Sequence, residues 1–231
     1  MKDFEAIYRS RGAYHHELSG FPRWWTRDNY ALLAEWVNPG DRVLDLACGD
    51  GGFWPHVRAA SVVGADLSLA GLKLAGRTAG FPRVQAGMRA LPFKPGSFDA
   101  VVCSLSLQYV PLHELEKCMA EIARVLRAHG HLLFSYPNVR PEAGADDSHA
   151  GIPYEFLAVF LKKAGFRLLA VRSISPRLPR ILFAWSFRPG WKILASAYYR
   201  AARRLNRDPL RSHHFAMLCE SRGSDLEGDA P

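Results

Sequence analysis

Asp45, Gly49, Gly51, Gly52 and Asp66 have the residue types and spacing to do chemistry together. The stretch from Val43 to Phe53 reads V-L-D-L-A-C-G-D-G-G-F. Val43, Leu44 and Leu46 form a short apolar run, so Asp45 inside it is costly unless it meets a cation or several donors. The glycines let the backbone turn sharply and approach a ligand without Cβ interference. A helix is expected to follow, aiming its first N–H groups at that ligand, with Pro55 in its first turn. A second apolar run, Val62-Val63-Gly64-Ala65, ends in Asp66. That acid falls near the distance of about 20 residues at which a βαβ unit places a ribose-binding carboxylate. Ser68 then suits the N-cap of a helix. The pattern is a cradle for a nucleotide-type ligand, and Ala47-x-Gly49-x-x-Gly52 also fits the relaxed dinucleotide fingerprint.

These residues need a scaffold of strands and helices. The turn residues Asn38-Pro39-Gly40-Asp41 precede the first apolar run, which suits a strand buried on both faces of a parallel sheet. Leu32, Leu33, Trp36 and Val37 recur at helical spacing and predict a helix just before that strand. From about Leu112 to Leu126, Leu115, Met119, Ile122 and Leu126 share one helix face, and Gly130 follows as a stop signal. Tyr136-Pro137-Asn138 leaves a further strand, and a Gly/Ala/Asp loop runs to Ile152. The spacing then predicts a helix over 154–164, a strand over 167–174 and a last strand over 213–220. The chain has no internal repeat and no heptad array.

At 231 residues the chain fits one three-layer α/β unit with an insertion. Its four cysteines, Cys48, Cys103, Cys118 and Cys219, lack metal-ligand spacing and point to a reducing compartment. The first 25 residues mix charges with aromatics and contain no apolar h-region. No apolar run reaches the ~18 residues of a spanning helix. The expected location is cytoplasmic, with room for peripheral contact with a membrane.

Leu44-Asp45-Leu46-Ala47-Cys48-Gly49-Asp50-Gly51 resembles the first motif, L-D-x-G-C-G-x-G, of class I S-adenosylmethionine-dependent methyltransferases, with Ala47 in place of the first glycine. Ala90-Leu91-Pro92-Phe93 and Ser97-Phe98-Asp99-Ala100-Val101-Val102 resemble that family's segments at the third and fourth strands. Arg124 to Leu133 resembles its R-x-L-K-P-G-G-x-L segment, at the end of a helix and the fifth strand. The resemblance covers roughly residues 28–174, with 213–220, and is closest to the broad type 11 small-molecule group. It implies a Rossmann-like three-layer sandwich: a mostly parallel seven-stranded sheet with an N-terminal helical arm over residues 1–27. Residues 175–212 are expected to form an aromatic, basic helical insertion before the last strand, and 221–231 a disordered tail.

The resemblance also implies a cofactor, S-adenosyl-L-methionine, leaving as S-adenosyl-L-homocysteine. Asp45 would sit under the methionine amino group. The backbone from Ala47 through Cys48 and Gly49 to Gly51 would line the amino-acid part. Asp66 would accept the ribose hydroxyls, and Leu67 would pack on the adenine. Gly87 stands where many relatives hold an Asp for the adenine amino group, leaving Met88 to contribute its backbone N–H and apolar side chain. Ser104 would border the methionine end. Gln108 and Tyr109 are candidates for the acceptor side, while His113, the cluster Tyr14-His15-His16 and the set Asp146, Asp147, His149 read as surface residues. No residue is singled out as the catalytic base, and no metal is expected.

The acceptor implied is a small molecule, apolar or aromatic, or a lipid-like compound, methylated on O, N or C. An RNA methyltransferase and a non-catalytic cofactor-binding interaction domain remain the alternatives; a nicotinamide oxidoreductase is disfavoured because Asp45 would repel a pyrophosphate. Residues 172–212 carry ten Lys and Arg against the single acid Asp208, a net +9 in a chain whose total is +8. That segment fits a lid with solvated arginines, a contact with an anionic membrane, or, least well, nucleic acid.

Overall fold

The computed structural model describes residues 3–11, 23–137, 154–176, 201 and 212–222. The chain orders its strands β1 (Arg42–Leu46), β2 (Ser61–Asp66), β3 (Arg83–Gln85), β4 (Phe98–Ser104), β5 (Leu126–Pro137), β6 (Phe166–Pro176) and β7 (Ser212–Ser221). They form one seven-stranded sheet in the order β3-β2-β1-β4-β5-β7-β6. β3, β2, β1, β4 and β5 are parallel, whereas β7 runs antiparallel between β5 and β6. This is the Rossmann-like architecture that the motif order implies.

Side-chain alternation along the strands divides the core between two faces. On one, Val43, Val62, Ala100 and Val102 meet Leu32 and Leu33 of α2 (Arg23–Ala34) and Leu72 and Ala75 of α3 (Leu69–Thr78). On the other, Leu44, Leu46, Val101 and Cys103 meet α4 (Leu112–Val125) through Leu115, Met119 and Ile122. α5 (Tyr154–Lys163) adds Leu157 and Leu161 to that face. The strand order reverses between β1 and β4, so a crevice opens above their carboxyl ends, the place where doubly wound sheets bind ligands.

Two polar clamps fix the frame. Asp99 accepts the backbone N–H of Arg42 (2.8 Å) and the Nε of both Arg42 (3.0 Å) and Arg127 (2.6 Å). The Arg42 backbone N–H and the two guanidinium groups outweigh the cost of burial and hold the Asp99 carboxyl at about 2. It thereby joins β1, β4 and β5 at the end of the sheet opposite the crevice. On α4, Arg124 donates to the carbonyls of Leu91 (2.9 Å) and Phe93 (2.8 Å), while Glu121 accepts the Leu91 N–H (2.9 Å). The Leu91-Pro92-Phe93 segment therefore lies in the loop after β3, tied to α4, and not on a strand.

The helix expected after the glycine turn does not form. Residues 49–53 are turns, and only a single 3-10 turn, Trp54–His56, follows before β2. Pro55 fits that first turn, but Phe53 and Trp54 are both buried and no second helical turn has an apolar face to bury. The insertion 175–212 lies almost wholly outside the described residues, as do the tail, Tyr14, His15, His16 and the Asp146, Asp147, His149 set. Among the described residues no helix is long and apolar enough to cross a membrane, and no group of acids, histidines and cysteines could hold a metal.

Candidate active site

The turn after β1 is built from left-handed backbone: Ala47 has φ 59°, Gly49 φ 54° and Gly51 φ 77°. Only glycine adopts such angles without cost, so Ala47 carries strain where the motif's first glycine would carry none. The turn is pinned by its neighbours. Cys48 N–H donates to the Ala65 carbonyl (3.1 Å), and Gly51 N–H to the Cys48 carbonyl (2.9 Å). Gly49 N–H donates to Oδ2 of Asp66 (2.8 Å), and Ser68 N–H to its Oδ1 (2.7 Å). Ser68 also caps α3, accepting from Gly71 N–H at 3.0 Å. Both oxygens of the acid that ends β2 are thus fixed by backbone donors, with further lone pairs left to accept.

Asp45 stands on the α2 side of β1, 2% exposed, and its Oδ2 has no hydrogen-bond partner. Burial pushes its carboxyl up to about 7; the Trp54 indole N–H beside it lowers it without making a well-formed bond, and Asp66 and Asp50 raise it further. Burial also raises Asp66, against the opposing pull of its two backbone donors. Asp45, Asp50 and Asp66 therefore surround one turn with carboxyl groups, whose ionised forms a bound cation would favour. Such a site attracts a cation and repels a pyrophosphate.

At the carboxyl end of β4, Ser104 is buried and accepts from Asn29 Nδ2 of α2 (2.8 Å). Ser135 of β5 accepts the Leu105 N–H (3.1 Å), and Leu105 itself has φ 49°. Strain of this kind collects where the surrounding structure holds a loop in place for a purpose. Gln108 donates to the Leu105 carbonyl at 2.6 Å. Buried atoms without partners also occur at Thr26 Oγ1, Asn29 Oδ1 and Gln108 Oε1.

The family model described as "Methyltransferase domain" matches residues 44–134, the span from β1 to β5 that builds this crevice. Residues 44–134 are a methyltransferase domain by that match. A demethylmenaquinone methyltransferase of Mycobacterium sp. (strain KMS) is 38% identical, with 59% of this chain and 60% of that protein covered. A phthiotriol/phenolphthiotriol dimycocerosates methyltransferase of Mycobacterium ulcerans (strain Agy99) is 37% identical over 44% of the chain and 39% of that protein. The chain thus spans less than two thirds of the length of these relatives. Two solved structures share the fold at low identity. Geranyl diphosphate methyltransferase in complex with SAM has a TM-score of 0.61 at 20% identity, covering 84% of each chain. A methyltransferase in complex with the Haloferax volcanii Trm112 activator has 0.68 at 16%, covering 96% of this chain and 98% of that one.

Within the methyltransferase domain the motif residues converge on one crevice. Asp45, Ala47, Cys48, Gly49 and Gly51 end β1, and Asp66 and Leu67 end β2. Leu67 is 64% exposed and lies against Gly87: a Cβ built on Gly87 would stand 3.1 Å from Leu67 Cδ2. Met88, beside it, is half-buried and packs on the core. His113 is exposed beside Glu114, away from any buried partner. The four cysteines are free and buried, and burial raises their thiols, Cys118 to about 11 and Cys219 to about 12. They are inert packing groups.

A helical arm was expected at the N-terminus, but not the contacts that its residues make with the crevice. α1 (Phe4–Arg11) has its Glu5 and Tyr8 on the crevice residues: Glu5 Oε2 accepts from Ser68 Oγ (2.7 Å) and Ala70 N–H (3.1 Å). Tyr8 is buried, and a Cβ on Gly49 would overlap its hydroxyl. An acid and an aromatic ring three residues apart on a short N-terminal helix was the available signal.

Proposed function

We propose that this protein transfers the methyl group of S-adenosyl-L-methionine to a small apolar, aromatic or lipid-like acceptor. The observation that carries the reading is the pair of acids on the glycine turn: a buried Asp45 with one oxygen unpartnered, and Asp66 held open by two backbone donors. Asp45 suits the methionine ammonium, Asp66 the vicinal ribose hydroxyls, and the left-handed turn from Ala47 to Gly51 leaves room for the chain between them. Leu67, Gly87 and Met88 would take the adenine, and Ser104 the methionine end. When bound, the cofactor supplies an activated methyl on sulfur. The protein's contribution is to align an acceptor and to keep water out.

Both relatives named above are methyltransferases of apolar compounds by their names, and that supports an acceptor of the same kind here. The basic segment 175–212 would offer an anionic membrane a surface at which to collect such a compound. Calorimetry with S-adenosylhomocysteine against NAD tests the cofactor: micromolar binding of the former alone is expected, and the reverse order would end the proposal. Labelled methyl entering an organic-soluble product from fractionated metabolites tests the acceptor class. Flotation with anionic liposomes at low salt tests the membrane contact.

A further inference from the structure

α1 is too short to be stable alone, since an isolated helix of two turns cannot offset its nucleation cost in water. What holds it must therefore be its contacts, and these go to the crevice. At its start the ring of Phe4 meets the ring of Tyr109, in the turn after β4, edge-on at 5.1 Å. At its end Tyr8 rests against Gly49 and Gly71, with a Cβ on Gly71 only 3.1 Å from Tyr8 Cε2. Between these two points Glu5 is hydrogen-bonded to Ser68 Oγ and Ala70 N–H, at the positive end of α3. Arg9 closes on the other Glu5 oxygen at 3.0 Å. The helix thus reaches from the β4 side of the crevice to its β2 side.

The contacts also form a chain. Glu5 accepts from Ser68 Oγ, and the Ser68 backbone N–H donates to Asp66 Oδ1. Tyr8 rests on Gly49, whose N–H donates to Asp66 Oδ2. Whatever engages Asp66 therefore acts on the two residues that hold α1 down. The strap and the acid share one network.

We propose that α1 is a strap that closes over the cofactor, with Glu5 as the positioning residue that ties it to Asp66 through Ser68. The inference rests on reading the crevice as the S-adenosylmethionine site. Its signature is kinetic: a closed strap slows release of ligand more than it changes entry.

The test is stopped-flow release of S-adenosylhomocysteine from the full chain, followed by tryptophan fluorescence. Glu5→Ala is expected to speed release about tenfold with an unchanged melting temperature, the size expected for losing a charge-assisted pair of bonds. Glu5→Gln, which keeps an acceptor oxygen for both donors, stays within about threefold of the wild type. Tyr8→Ala removes the cover without touching Glu5 and also speeds release. The double variant Glu5→Ala/Ser68→Ala speeds release by less than the product of the two single effects, because both variants lose the same Glu5–Ser68 bond, while the bond from Ala70 N–H to Glu5 is lost only with Glu5. Wild-type release rates in Glu5→Ala and Tyr8→Ala, or effects that multiply in the double variant, overturn the strap. A wild-type chain that fails to bind S-adenosylhomocysteine at all removes the cofactor reading, and the strap with it.

Discussion

Gly49 N–H donates to Asp66 Oδ2 at 2.8 Å, so the turn that ends β1 and the acid that ends β2 are locked in one geometry by the protein's own backbone. Removing that carboxylate has two consequences. Asp66→Ala is expected to weaken S-adenosylhomocysteine binding by roughly 1.5–3 kcal/mol, the cost of losing charge-assisted bonds to hydroxyls. It also leaves the Gly49 and Ser68 donors without their acceptor, so the ligand-free protein melts lower. Calorimetry and a melting curve measure the two effects separately; unchanged affinity would place the ribose elsewhere.

Asp45 makes the ligand-free protein sensitive to pH. Its carboxyl, pushed by burial to about 7 from an ordinary value of 3.8, keeps its proton in the folded state while the unfolded chain has already lost it. The folded state therefore binds more protons between those values, and stability falls as pH rises through that window. Below pH 4 both states are protonated, and above about 7 both are ionised, so the loss levels off at on the order of 2–4 kcal/mol. Asp45→Asn removes the dependence. The melting difference between variant and wild type should grow from pH 4 to 7 and then stay flat, while the variant binds S-adenosylhomocysteine more weakly. A difference independent of pH would show that Asp45 is ionised throughout.

The parts of this molecule that local spacing can encode were legible. Leu115, Met119 and Ile122 mark α4 because a helix repeats every 3.6 residues, and Asp45, Gly49 and Asp66 mark the crevice because a strand-turn-strand unit keeps them near. What was not legible depends on contacts between distant residues. Glu5 meets Ala70 across 65 positions, and nothing near either residue announces the other. Arg124 was visible only as the first residue of a family-like segment, and nothing local shows that Arg124 would meet the carbonyls of Leu91 and Phe93 or Glu121 the Leu91 N–H. The missing helix after the glycine turn is a failure of another kind: the unit's usual pattern was extended onto residues 53–60, which lack the periodic apolar face that a helix needs.

Ala47 is the one non-glycine residue of the left-handed turn, at φ 59°. An L side chain there costs about 1–2 kcal/mol, and glycine would return some of that through its greater freedom in the unfolded chain. Ala47→Gly is expected to gain up to about 1 kcal/mol, a rise of roughly 2–4 °C for a domain of this size. Equal or lower melting would mean that the Ala47 methyl makes packing contacts worth as much as the strain.

Gly87 lies beside the exposed Leu67, and a Cβ there meets only the Leu67 side chain, nearest at 3.1 Å from Cδ2. Because that atom is the far end of a flexible, solvent-facing side chain, Leu67 can move aside at little cost. The backbone at 87 is not left-handed, so a larger residue is not strained there. Gly87→Asp would place a carboxylate where the family resemblance implies one for the adenine amino group. If adenine lies along Leu67, the variant should bind S-adenosylhomocysteine more tightly by about 1 kcal/mol, the net worth of one good hydrogen bond. The control is Gly87→Asn, which offers the same shape with an uncharged acceptor and should gain less. Affinity that falls in both variants, with melting temperatures held, would mean that the adenine occupies the space beside residue 87 and needs the glycine for room.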